Sequence, residues 1–134
     1  MDQDILTEQV NEWAARVVAD RRWINDTLGV VVLGMLLYGY ALAVGRMVMM
    51  LDVVDIDAAV LRTMIGTIGT AKQWSAGLVA DASASAFDEA HHPGNFELIG
   101  VGHSYFGEQD TAAVIDNVFA NIASVRRRAD PGAD

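Results

Sequence analysis

The chain has no cysteine, two prolines and one lysine in 134 residues. Without cysteine there is no disulfide, no thiolate metal site and no thiol nucleophile, and the redox compartment stays open. The prolines are Pro93 and Pro131, so nothing rigidly breaks a helix across the first 92 residues. Aromatic residues make up 7% of the chain, which disfavours an aromatic-rich β core. Lys72 and eight arginines stand against 18 acidic residues, a formal charge of −9, and the only basic run is Arg126, Arg127 and Arg128. Phosphate recognition needs concentrated Lys and Arg, so no nucleic-acid partner is expected. The first residues, Met1 to Asp4, are acidic where a secretory signal would be basic, and a cleaved signal is not expected.

What is present is apolar and small. Hydrophobic residues are 52% of the chain and the mean hydropathy is +0.25. The length suffices for one core and not for two. A single helical domain is predicted over 1–128, with a flexible tail over 129–134.

Leu6, Val10, Trp13, Val17 and Ile24 recur at steps of four, three, four and seven, predicting an amphipathic helix over about 4–24. Asn25, Asp26 and Thr27 then supply a turn and a cap. Thr27 to Gly45 carries no charge, and after Arg46 the apolar character resumes from Met47 to Leu51. The stretch has no period-two alternation and is far longer than a strand. It is predicted as one continuous helix over 27–51, apolar on its whole circumference, which requires a core or lipid around it.

Two surroundings stay open. The uncharged run approaches the roughly 20 residues needed to cross a hydrocarbon layer, while its four glycines, and Tyr38 and Tyr40 near its middle, weaken that signal. If it spans, Arg16, Arg21 and Arg22 place the N-terminus in the cytoplasm. Otherwise it is the central helix of a cytoplasmic soluble bundle. So short a chain has little surface with which to hide a 25-residue helix, which points towards lipid or an oligomer partner.

A third helix is predicted over about 56–80 with two seams. One holds Val60, Met64, Ala71 and Leu78, with Ile68 beside it. The other holds Ala59, Thr63, Gly66, Thr70, Gln73 and Gly77. Small residues let helix backbones approach closely, so Ala59, Thr63, Gly66, Thr70 and Gly77 are the predicted interaction residues. Asp88 to Asn95 marks the clearest break. Beyond it Leu98 to Val101 could form a short strand, while the favoured reading, a short helix, would group Phe96, Ile99, His103 and Phe106, with His103 in a core or interface. A last helix, capped by Asp110, carries Val114, Val118, Ile122 and Val125 with Phe119 alongside. It closes on three arginines, where the helix dipole favours cations. The predicted class is all-α: a four- to five-helix bundle-like domain with a central or membrane-inserted apolar helix.

Chemistry-bearing patterns are sparse. Glu89-Ala90-His91-His92 contains one Glu-x-x-His, which on a helix would bring Glu89 and His92 together as weak metal candidates. Di-iron bundles use two such pairs and two further glutamates, which this chain would need a symmetric partner to approach. His103 and Ser104 are neighbours, and adjacent helical residues point apart, so they make a poor nucleophile–base pair. Gly100-x-Gly102 completes neither a dinucleotide fingerprint nor a P-loop. No catalytic residue and no cofactor is therefore expected. The expected role is a non-enzymatic assembly subunit, packing through helix 27–51 and the small-residue seam into a membrane, a homo-oligomer or a larger protein assembly. The alternatives are a soluble acidic interaction module of inhibitor or adaptor type and a small oligomeric metalloprotein using Glu89 and His92.

Overall fold

The computed structural model describes residues 2–129, which form six α-helices and no strand. They are α1 (Asp2–Ala19), α2 (Thr27–Met47), α3 (Val53–Thr63), α4 (Lys72–Phe87), α5 (Pro93–Ser104) and α6 (Thr111–Ala129). A wide π turn, Met64–Ile68, extends α3, and a tight turn, Tyr105–Gly107, follows α5. The all-α bundle expected from the periodicity is the fold observed, with one more helix than the upper count. Of the expected tail, Ala129 ends α6 and residues 130–134 lie outside the described residues.

Helix α2 occupies the centre and touches every other helix. Fifteen of its 21 residues are buried, among them Leu33, Met35, Leu36, Leu37 and Tyr38 with no exposed surface at all. The difficulty of hiding such a helix in a short chain is met by surrounding it with five others, each contributing one apolar stripe. From α1 come Leu6, Val10, Trp13 and Val17; from α6 come Val114, Val118 and Ile122. Ile24, placed by spacing on the first stripe, instead lies beyond the end of α1 and is 58% exposed. The helix stops at Ala19, five residues before the periodicity does.

The rod expected over 27–51 ends at Met47. Met50 adopts a left-handed backbone (φ 55°), and the amide of Leu51 donates back to the carbonyl of Gly45 at 2.8 Å. This closure satisfies a carbonyl at the helix end and folds Leu51 back onto the core. The segment predicted over 56–80 is likewise two helices. Gly69 takes φ 88°, and its amide and that of Thr70 both donate to the carbonyl of Met64. Glycine enters this conformation without a Cβ penalty, so the helix ends here and α4 restarts at Lys72.

Two caps stand where they were expected. Asp110 Oδ1 accepts from the amides of Ala112 and Ala113 at the start of α6. Asp26 Oδ1 accepts from the Gly29 amide at 2.9 Å and caps α2. Arg126, at the other end of the chain, donates to both oxygens of Asp26, at 2.6 and 3.2 Å. One carboxylate thus starts the central helix and ties down the end of the last. Its pKa is lowered, first by the Arg126 hydrogen bonds and then by the Gly29 amide. A depressed carboxylate stabilises the fold above its unfolded pKa of about 4 and ceases to do so as pH falls through the folded value. Asp26→Ala should therefore cost about 1 kcal/mol at neutral pH, the usual worth of a cap. The difference from the parent should shrink as pH falls below about 4 in urea unfolding curves.

Candidate functional site

The small-residue seam does not form one surface. Ala59 and Thr63 are fully buried on α3, where the Thr63 hydroxyl donates to Asn11 Oδ1 of α1 at 2.7 Å. Thr67, one turn on, donates to the same oxygen at 2.8 Å. Gly66, Gln73 and Gly77 are exposed and Thr70 is half-buried. A Cβ placed on Gly66 or Gly77 would meet nothing within 4 Å. The break at Gly69 separates these residues, and only Ala59 and Thr63 are turned inward.

Close backbone approach occurs elsewhere, between α2 and α5. A Cβ on Gly39 would lie 2.0 Å from the carbonyl oxygen of Ile99, and one on Gly102 would lie 2.0 Å from that of Leu36. Each glycine receives the backbone of the opposing helix. This crossing explains which face of α5 turns inward: Asn95, Leu98, Ile99 and Gly102 are buried, with Tyr105 just beyond. The face expected to carry Phe96, His103 and Phe106 is exposed apart from Ile99. His103 is correspondingly a surface residue and not part of the core.

Glu89 and His92 do not share a helix face. Helix α4 ends at Phe87, Asp88 accepts from the Ala90 amide in a turn, and His92 is the N-cap of α5. The His92 Nδ1 accepts from the Asn95 amide at 3.0 Å. Pro93 follows at the first helical position, where its missing N–H costs nothing and its ring fixes φ for the helix. The neighbouring His91 lies 3.3 Å from Asp81 Oδ1. Among the described residues no three His, Asp or Glu side chains gather as a metal site.

Tyr38, near the middle of the apolar helix, is enclosed and donates to Asp57 Oδ1 of α3 at 2.6 Å. That bond explains how a phenol is accommodated in this core: its polar end reaches a carboxylate on the neighbouring helix. Burial, and then the Asp57 contact, raise its pKa strongly. Tyr105 is treated alike, donating to Asn117 Oδ1 at 2.6 Å and pushed up to about 12 by burial.

Two surface features lie at opposite ends of α2. Where the chain enters that helix, Arg22, Trp23 and Ile24 face Phe119, Ile122 and Arg126 of α6 across an open groove of about 500 Å³. Two of its three arginines are already committed. Arg22 stacks over Phe119 at 4.4 Å and pairs with Asp20 and Asp116, while Arg126 holds Asp26. The Arg22 hydrogen bonds hold the Asp20 carboxyl down at about 2. At the exit from α2, Met47, Val48, Met50 and Val54 are 63%, 58%, 85% and 77% exposed. Phe87 lies close by, under the guanidinium of Arg46 and 54% exposed. Four large apolar side chains are thus exposed within eight residues, a concentration of the kind that marks an interaction surface.

The sequence reading placed Met47 to Leu51 inside a rod and so missed this patch. The signal available was the run of three methionines within four residues, directly after the only charge in the segment. No family model matches the chain, and neither curated proteins nor solved structures yield a similar one.

Proposed function

We propose that this chain is a non-enzymatic assembly subunit that docks onto a protein partner, a second copy being the simplest, through the apolar end of segment 27–51. The observation that carries the reading is the patch of Met47, Val48, Met50 and Val54. Its most exposed member, Met50, occupies a left-handed conformation that a non-glycine side chain adopts at a cost. A loop that keeps a strained, bare methionine forgoes stability that Gly or Asn would supply. Methionine is adaptable and polarisable, suited to packing against an apolar partner surface.

Of the two surroundings left open by the sequence, protein is the one we adopt. The circumference of α2 is already covered by the chain's own helices. The patch is bordered by Asp52 and Asp55, which anionic lipid would repel. A carbonate wash is expected to release the protein into the supernatant, and retention in the membrane pellet would favour lipid. The alternative, an acidic adaptor for a basic partner, draws on a different observation. Five of the nine basic residues are Arg21, Arg22 and Arg126 to Arg128, which leaves much of the remaining surface acidic. Salt sensitivity separates the two readings, since charge-driven association weakens with ionic strength and apolar docking does not.

Because their side chains are bare, Met50→Glu and Val54→Glu should leave the melting temperature within about 2 °C of the parent. In light scattering they should shift the particle from oligomer to monomer. A parent that is monomeric at all concentrations removes self-assembly from the reading.

A further inference from the structure

Asn95 is a polar residue of the interior whose side chain the fold leaves without a protein partner. It is 8% exposed, yet its carboxamide makes no hydrogen bond among the described residues. Its polar atoms are not sealed, because among the described residues the only wholly enclosed side-chain nitrogen or oxygen without a partner is the indole nitrogen of Trp13. They open instead onto two adjoining surface depressions that both reach Val31, His92 and Asn95. The more apolar one, about 480 Å³, is walled by Leu28, Val32, Leu98 and Val125.

Several of the polar groups at its head are donors, with Asn121 and Glu97 also on the lining. Asn95 sits in the first turn of α5, where the Gly94 amide has no backbone acceptor and the helix dipole favours negative charge. His92 uses Nδ1 to accept from Asn95, so its neutral ring carries the proton on Nε2 as a donor. Arg128 stands on the rim, with Glu97 the opposing charge. The geometry points to a binding site for an aliphatic molecule ending in a carboxylate, held by the Asn95 carboxamide at the N-terminus of α5, with its chain lying between α2 and α6. This site flanks the start of α2, while the docking patch lies past its other end, about 30 Å away along 21 residues. Either can fail without the other.

Calorimetric titration of the full chain with decanoate tests this, with decanol as the uncharged control. A free aliphatic acid and the C-terminus of an apolar peptide share this chemistry. Acetyl-trileucine run in parallel tells them apart, the tighter binder identifying the source. Saturable one-to-one binding is expected, at least tenfold tighter for the carboxylate than for decanol. Asn95→Leu should lose at least tenfold in affinity while the ligand-free protein melts no lower than the parent. Asn95→Asp, whose charge suits a helix start but repels a carboxylate, should lose as much, and serves if the leucine variant does not fold. The proposal is overturned by equal binding of decanol, by parental affinity in Asn95→Asp, or by no saturable binding of either acid within its solubility.

Discussion

Gly39→Ala and Gly102→Ala are each expected to destabilise the fold by at least about 3 kcal/mol, the upper end of the overpacking range. The reason is the identity of the obstructing atom. At both positions a new methyl would lie 2.0 Å from a main-chain carbonyl oxygen. A crowded side chain can change rotamer, but a helix backbone cannot, so α2 and α5 would have to move apart along their whole contact. Net stabilities are typically 5–15 kcal/mol, so either variant is expected to be marginal or unfolded in circular dichroism. Gly77→Ala is the opposite case. Its Cβ meets open space on the exposed side of α4, and replacing a mid-helix glycine should stabilise by about 0.5–1 kcal/mol. If Gly39→Ala were harmless, the close crossing of α2 and α5 would be wrong.

Alkaline pH should unfold the protein more sharply than its acidic composition suggests. All three tyrosines, Tyr38, Tyr40 and Tyr105, have pKa values raised by burial, with Asp57 adding to the effect at Tyr38 and Glu12 at Tyr40. A group whose folded pKa exceeds its unfolded one contributes fully below the unfolded value and loses that contribution as pH rises through the folded value. The window therefore opens near pH 10, the ordinary tyrosine value. For Tyr105, moved from 10 to about 12, the loss across that window is about 3 kcal/mol at 1.4 kcal/mol per unit. Tyr38, more strongly perturbed, adds to it. Absorbance at 295 nm should show less tyrosinate in the folded protein at pH 10 than in denaturant. A Tyr38→Phe, Tyr105→Phe double variant should flatten the dependence of stability on pH between 10 and 12. Free titration of all three phenols near pH 10 without unfolding would contradict their enclosure.

Much of this architecture can be read locally. The stripes of α1 and α6 follow from side-chain spacing, and the caps at Asp26 and Asp110 from residue type. The uncharged run marks the central helix without revealing its neighbours. What escapes the sequence is set by long-range pairing. Gly39 and Gly102 look like any other glycines until α5 is laid across α2, whereas the regular spacing of Ala59, Thr63, Gly66, Thr70 and Gly77 suggests a seam that Gly69 divides. The end of α2 escapes because Met50, which has no local preference for positive φ, makes the reversal. The burial of Asn95 escapes because nothing in a polar residue's chemistry announces that it will face a core. The Met47–Val54 patch and the Asn95 depression are therefore legible only once the helices are assembled.

The crossing of α2 and α5 also sets the order in which the chain can close. Its touching residues lie some sixty positions apart, with α3 and α4 in the intervening loop. No local hairpin can form it early, and until α5 arrives the most apolar helix of the molecule stands uncovered on that side. Refolding should therefore be slower than for an up-and-down bundle of the same length. The half-assembled chain is the species most exposed to aggregation.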